Sequence, residues 1–411
     1  MLTYTVSKKD TSISGEISLA PSKNISSRNL VIQAIKNAKF SIETVSEKDA
    51  AKVIDKSVRK GKVALDKGDP AKAIRFLGAF LAYFGGEWII TGSKEMKKRP
   101  VADVIGILSK QGHNIKYLER EGFPPLKIIG KALYGRISRI DASICSHFIS
   151  TSLSISQTLS HDEVVDLKDW IVESPYISQT IRLLNYLGVN SGWNKEEMLI
   201  EYDLHDGSEM TVESDWLAAS YWYQLAALSK KAELKLLGLN FESVQGDAIV
   251  KEIFEPLGIK SEPVENGVLL KSVKRKLKTF EYDFSNSPDL IPTLVATCVG
   301  LKIPFRFQGV ESLRLKDVDR IMVLQSQMQK LGAKLRVEKR GDFETMTFDG
   351  KASFKAKSAI EFNCFSDHRI LMSLVPLSGM GLKISVDDPK VVSRSYPYFW
   401  EDIKKLGFIV E

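Results

Sequence analysis

Apolar residues recur at helical spacing in several stretches, most clearly at Ile321, Leu324, Met328 and Leu331, which are closed by Gly332. That period places the four side chains on one face of an amphipathic helix, and glycine readily takes the left-handed conformation in which helices end. A second helical face is formed by Leu30, Val31, Ala34 and Ile35, after Pro21 has broken an opening strand. A third runs through Ala73, Ile74, Phe76, Leu77, Phe80 and Leu81 and stops at Gly85. Short β-rich runs such as Trp88-Ile89-Ile90-Thr91-Gly92 lie between the helices. Pro100 and Pro175 mark helix starts, where a missing N–H costs nothing.

The helix ending itself repeats. It falls at Asn37, Gly112, Gly188, Gly258, Gly332 and Gly407, at steps of 70 to 76 residues. A run of near-equal steps marks an internal repeat, and each interval carries both helix and strand signals. The predicted building block is therefore an α/β unit of about 70 residues, of which six fill the chain. Polar residues stand where the repeated helices begin: Arg28, Arg99, Tyr176, Asp247, Arg320 and Tyr396. If these helix N-termini converge, their dipoles and the three arginines among them create a cleft with a strong positive field.

The densest charge is Arg314-Leu315-Lys316-Asp317-Val318-Asp319-Arg320, directly before the Ile321 helix. Cations at a helix N-terminus add full charges where unpaired N–H groups already attract anions, which suggests an anion site. Taken alone, the run reads more readily as a solvated charged turn, which is all that most surface charge runs are.

Bulk properties narrow the partners. The chain has 411 residues, 44% hydrophobic and 27% charged, with a formal net charge of +7. That suits a protein of two or three domains that binds phosphorylated small molecules. The basic residues are dispersed and no Lys/Arg block is interleaved with aromatics, so nucleic acid is not expected as a partner. No apolar run reaches membrane-spanning length and no charged leader precedes an apolar core, so a cytoplasmic protein is expected. Cys145, Cys298 and Cys364 have no CxxC spacing and read as free thiols in a reducing compartment. The five histidines lack ligand spacing with Cys or carboxylates and no dinucleotide fingerprint occurs, so neither metal nor other cofactor is expected.

Five motifs then fall in a fixed order: Pro21-Ser22-Lys23-Asn24-Ile25-Ser26-Ser27-Arg28, Lys98-Arg99-Pro100, Ser287-Pro288-Asp289-Leu290, Arg314 to Arg320, and Ser366-Asp367-His368-Arg369. Together they resemble the PxSKSxSxR, RP, PD, RxKExDR and DHR elements of the enolpyruvyl transferases, from about Gly15 to Pro397. Glu121 to Leu126, and Asp215-Trp216 with Ala219 to Trp222, favour the branch of that family acting on shikimate 3-phosphate. The resemblance implies a two-lobed inside-out α/β barrel of six units, three per lobe, with lobes at residues 1–20 plus 215–411 and at 21–214. It implies a transferase of the shikimate pathway of aromatic amino acid biosynthesis, working as a monomer without a cofactor. In the implied reaction the enolpyruvyl group of phosphoenolpyruvate passes to the 5-hydroxyl of shikimate 3-phosphate, with release of phosphate. By the same resemblance Arg99, Arg320, Arg369, Arg394 and Lys72 surround phosphoenolpyruvate. Lys23, Asn24, Arg28, Ser146, His147, Tyr176 and Lys316 meet shikimate 3-phosphate. Asp289 accepts the hydroxyl proton, and Lys23 or Asp317 moves protons at the methylene carbon.

The sequence departs from the family pattern in places. The NAGT loop reads Asp69-Pro70-Ala71-Lys72, where Lys72 is the residue able to neutralise the carboxylate. The SSQ element reads Cys145-Ser146-His147, Glu173 stands where a serine is usual, and Asn24, Asp317 and Arg394 replace serine, glutamate and lysine. These changes remove hydroxyl donors and put substrate identity and turnover in question more than the fold. Two other readings stay open: a non-catalytic paralogue that binds anions, and a UDP-N-acetylglucosamine enolpyruvyl transferase. The second is disfavoured because no cysteine precedes Cys145.

Overall fold

A computed structural model of the chain describes residues 2–22, 25–26, 60–65, 86–92, 96–98, 100–102, 105–106, 109, 114–130, 163–166, 190–194, 197–201 and 212–411, apart from 317, 342 and 355–357. The fold is mixed α/β with several sheets. Its contacts divide the chain into two compact units, residues 1–22 with 213–411, and residues 23–212.

The first unit holds three four-stranded sheets. Their strand orders are Ile360–Phe362, Ile384–Asp387, Thr3–Ser7, Ile409–Val410; then Ile13–Ser18, Ala232–Leu237, Gly267–Ser272, Ile259–Val264; then Phe280–Asp283, Phe305–Gln308, Phe343–Phe348, Arg336–Arg340. In the second unit Lys60–Leu65, Gly86–Gly92, Leu126–Gly130 and Asn114–Tyr117 make a further sheet. A fifth sheet, Glu163–Asp166, Glu197–Glu201, Asn190–Asn194, has three strands and is antiparallel throughout, whereas the four four-stranded sheets share one pairing pattern. The first two strands run parallel, and the third and fourth each join antiparallel. Parallel neighbours require a crossover, which a helix supplies, and antiparallel neighbours need only a hairpin. A shared pattern of this kind is the topological counterpart of the repeat in the sequence.

Among the described residues six helices lie in the first unit: α1 Trp216–Leu228, α2 Val250–Phe254, α3 Ile291–Leu301, α4 Arg320–Gln329, α5 His368–Leu374 and α6 Phe399–Lys405. In α4, Ile321, Leu324 and Met328 are fully buried, as their spacing predicts. The recurring glycines after α2, α4 and α6 all take positive φ, 97° at Gly258, 67° at Gly332 and 80° at Gly407, so each is a helix stop. By contrast α1 and α3 are apolar nearly all round and buried on every face, which makes them the centre of the core. Aspartates cap three of the helices. Asp215 accepts from the backbone N–H groups of Leu217 and Ala218, Asp319 from Met322, and Asp367 from Arg369 and Ile370.

One expected helix start has a different use. Tyr396 is buried, accepts from Trp222 Nε1 at 3.1 Å and donates to Asp402 Oδ2 at 2.8 Å. It locks α6 to α1 rather than lining an anion site, because an aromatic residue with a hydroxyl can fill core space and still satisfy a buried carboxylate. The chain crosses between the two units twice, and on the first unit's side the crossing segments run antiparallel. Ser22 N donates to Glu213 O, Asp215 N donates to Ala20 O, and Pro21 bridges Ser214.

Candidate functional site

Asp289 sits in the short 3₁₀ turn Pro288–Leu290 that leads into α3, where Pro288 presets the backbone. Its Oδ1 is the meeting point of three cations. Lys316 Nζ stands 3.5 Å away, Arg320 Nη1 is at 3.3 Å, and Arg369 Nη1 closes directly on the same oxygen. Arg320, 4% exposed, also grips Asp367, with Nε to Oδ2 at 2.7 Å and Nη2 to Oδ1 at 3.3 Å. Lys316 arrives from the loop before α4, Arg320 from the first residue of α4, and Arg369 from the first turn of α5. A cation at a helix start opposes the macrodipole, so Arg320 and Arg369 are held there by the carboxylates they meet.

Charge in the cluster favours an incoming anion. Lys316, Arg320 and Arg369 face Asp289 and Asp367, three positive groups against two negative ones. Burial alone would raise the Asp289 carboxyl, but Arg369, Lys316 and Arg320 together overcome it and hold the group well below the usual carboxylate range. For Asp367, burial pulls upward likewise, and Arg320 wins, keeping the carboxylate ionised. The hydroxyl of buried Tyr221 lies in the field of Arg369 and Arg320, yet burial raises it and it stays neutral.

The turn that delivers Asp367 and Arg369 is strained and cross-tied. Phe365 and Ser366 take φ of 53° and 56°, a region that is costly for residues with a Cβ and that concentrates at functional sites. Cys364 N donates to Asp387 Oδ1 at 2.7 Å, and Ser366 Oγ donates to Asp388 Oδ2 at 2.7 Å. Arg394, from the 3₁₀ turn Pro389–Arg394, donates Nη1 to Ser366 O at 3.0 Å and so stands beside the same turn.

His368 lies between these arginines. Its Nδ1 has no partner among the described residues, and burial first, then Arg369, push the imidazole down to about 3, so it is neutral in the folded protein. An unfolded histidine takes up its proton near pH 6.5, and the folded one does so only well below that. Protons then bind the unfolded state preferentially, so stability falls as pH drops below about 6.5. His368→Gln is expected to flatten that part of the acid limb, read as urea midpoints between pH 7 and pH 5. An unchanged slope would show that His368 is not the group responsible.

The sequence reading thus finds Asp289, Lys316, Arg320 and Arg369 in one cluster, with Arg394 tied to the turn beside it. Lys23, Asn24, Arg28, Lys72, Arg99, Ser146, His147, Tyr176 and Asp317 lie outside the described residues. Asp367 falls in one of the five motifs, but the sequence reading assigns it no role. Its signal was present, an Asp immediately before an apolar helical run, which is an N-cap signature. Among the described residues no group of three or more His, Cys, Asp or Glu is arranged to hold a metal ion. No helix among them is long and apolar enough to cross a membrane.

What the arrangement can do is hold polyanions. Two guanidinium forks and an ammonium converge on one point with little access to water, a geometry suited to carboxylate and phosphate groups. A carboxylate at the same point is placed to take a proton from a hydroxyl brought there.

Comparison with known proteins agrees with this chemistry. The family model described as EPSP synthase (3-phosphoshikimate 1-carboxyvinyltransferase) matches residues 33–403. A 3-phosphoshikimate 1-carboxyvinyltransferase of Bacteroides fragilis (strain YCH46) is 36% identical over 397 residues, covering 96% of each chain. One of Photobacterium profundum is 27% identical over 426 residues, covering 96% of this chain and 97% of its own. Among solved structures, the EPSP synthase of Acinetobacter baumannii superposes with a TM-score of 0.72 at 17% identity, covering 100% of this chain and 99% of its own. The enolpyruvyl transferase NikO from Streptomyces tendae gives 0.70 at 14% identity, covering 100% and 98%. At those identities the structures speak for the fold alone.

Proposed function

The chain belongs to the EPSP synthase family, the 3-phosphoshikimate 1-carboxyvinyltransferases, and is a transferase; on that premise we propose that the cluster around Asp289 is where it moves the enolpyruvyl group of phosphoenolpyruvate to the 5-hydroxyl of shikimate 3-phosphate. The observation that carries this assignment is the convergence of Lys316, Arg320 and Arg369 on a single carboxylate oxygen. Both substrates are polyanions, and the first task of the site is to bring mutually repelling charges together.

In this reading Arg320, Arg369 and Arg394, with Arg99 and Lys72, hold phosphoenolpyruvate. Lys316, with Lys23, Asn24, Arg28, Ser146, His147 and Tyr176, holds shikimate 3-phosphate. The 5-hydroxyl oxygen bonds to C2 of phosphoenolpyruvate and its proton goes to Asp289. The methylene carbon gains a proton from Lys23 or Asp317, giving a tetrahedral intermediate. Loss of phosphate from C2, with return of a methyl proton, then restores the carbon–carbon double bond in the product. Arg394 replaces the family's lysine. Its fork can bond the Ser366 carbonyl and still present N–H groups to an anion, although it cannot readily give up a proton.

The same reading makes the molecule an inside-out α/β barrel of six units, three to a lobe, with lobes at residues 1–20 plus 215–411 and at 21–214. What supports the count is the pairing pattern that four of the five described sheets share.

The test is phosphate release from the full chain given both substrates, repeated on Lys23→Met. Release in the parent and a loss of at least about 100-fold in the variant is the expected result. If the parent binds shikimate 3-phosphate and phosphoenolpyruvate by calorimetry but releases no phosphate, it is an anion-binding paralogue instead.

A further inference from the structure

Arg314 opens the densest charged run in the chain, but its guanidinium is committed away from Asp289. Nε donates to both carboxylate oxygens of Glu344, at 3.0 and 2.8 Å, and Nη1 donates to Asp319 Oδ2 at 2.8 Å. Glu344 lies on the strand Phe343–Phe348 and is 5% exposed, a carboxylate that has been taken almost entirely out of water. Its backbone N–H donates to Glu311 Oε2 at 3.2 Å. Glu311 begins the 3₁₀ turn whose far end carries Arg314, so one strand residue holds both ends of that turn. Asp319, the other partner of Arg314, uses its Oδ1 to cap α4 by accepting from Met322 N at 3.1 Å.

These contacts close a ring: Glu344 to the start and the end of the turn, Arg314 onward to Asp319, and Asp319 to α4. Inside the ring runs the segment bearing Lys316, and immediately after it comes Arg320. Both reach Asp289 Oδ1, at 3.5 and 3.3 Å. The backbone at Lys316 is extended and has left the 3₁₀ turn that precedes it. Its position therefore depends on what is fastened on either side.

We propose that Arg314 and Glu344 are positioning residues for the transferase reaction, a salt-bridged clasp that sets where Lys316 and Arg320 stand relative to Asp289. The proposal rests on the substrate assignment above, since Lys316 and Arg320 are the anion-holding groups it serves. Lysine cannot replace Arg314 here, because a single ammonium cannot span two oxygens of Glu344 and reach Asp319 with the same fixed geometry. Glutamine at 344 keeps the shape and an acceptor oxygen but loses the charge. Neither side chain of the clasp bonds to the Asp289 carboxylate, so its effect on the reaction passes through Lys316 and Arg320.

The test compares Arg314→Lys, Glu344→Gln and the double variant in the full-length protein. A clasp that positions binding groups predicts higher KM for shikimate 3-phosphate and phosphoenolpyruvate, each by about tenfold, the size of losing one charge-assisted hydrogen bond, with kcat much less changed. The double variant should be no worse than the poorer single one, since the two residues act as a unit. If both single variants melt at a lower temperature yet keep KM within about twofold at a temperature where they are folded, the pair holds the fold only and the proposal is overturned. Calorimetry with inorganic phosphate separates the layers. Weaker phosphate binding in the variants, in a parent that shows no turnover, would sustain the clasp while removing the substrate assignment. Normal turnover and unchanged phosphate binding in the variants would do the reverse.

Discussion

Asp289→Asn is expected to cut turnover by about 10²–10⁴-fold while binding phosphoenolpyruvate and inorganic phosphate more tightly than the parent does. The loss follows from removing the proton acceptor proposed above. The gain follows from the geometry. In the parent, Asp289 Oδ1 occupies the point on which Lys316, Arg320 and Arg369 converge, so an arriving anion competes with a resident one. Asparagine keeps the shape without the charge, and the cations are left to the ligand. The same competition explains how a carboxylate held well below its usual range can serve as a base. As substrate oxygens draw the guanidinium and ammonium charge to themselves, the pull that keeps Asp289 weakly basic declines and its proton affinity rises. Phosphate-release rates and titration calorimetry on the two proteins check both halves. Weaker phosphoenolpyruvate binding in the variant would show that Asp289 does not compete for the cations.

The largest expected stability effect is at Asp367. Its carboxylate is 1% exposed, pairs with buried Arg320 and caps α5. Asp367→Ala removes one partner of a buried pair, a change that typically costs about 3–5 kcal/mol, and leaves Arg320 to the Asp289 oxygen that it shares with Lys316 and Arg369. Loss of the cap adds to this by up to about 2 kcal/mol, less than additively since both effects share one side chain. Asp367→Asn keeps an oxygen that can accept from Arg369 N and Ile370 N, so it should fall between the parent and the alanine variant. The pH dependence separates charge from cap. The folded Asp367 carboxyl lies below its unfolded value of about 3.9, so its contribution is complete above that value and is lost as pH falls through the folded one. Denaturant midpoints should therefore begin to draw together for the parent and Asp367→Asn once pH falls below about 3.9. Curves that stay parallel would mean the ion pair adds nothing to stability.

Much of this was legible in the chain itself, for reasons that differ by residue. Ile321, Leu324 and Met328 announce α4 because helical period and burial are local properties, and Gly332 ends it because its φ of 67° excludes most other residues. The recurring ending was visible because Gly258 and Gly407 stop their helices in the same way. The placement of Asp289 among cations came only through the resemblance, since nothing local ties residue 289 to 316, 320 and 369. Partners distant along the chain were missed altogether. Arg314 looked like part of an anion site, but it is spent on Glu344, thirty positions on in the strand Phe343–Phe348. Tyr396 stood at a repeated helix start and turned out to be core, because its position relative to Trp222 and Asp402 is set by tertiary packing.

The strand Ile13–Ser18 has its parallel partner at Ala232–Leu237, on the far side of the whole second unit. During synthesis it leaves the ribosome long before that partner exists, with both its edges bare and Ile13 and Ile17 still wet. Folding of the 1–22 and 213–411 unit is thereby deferred until residues 23–212 have been made. Until then the early strand presents an unpaired edge to other polypeptides, and shielding it protects the nascent chain.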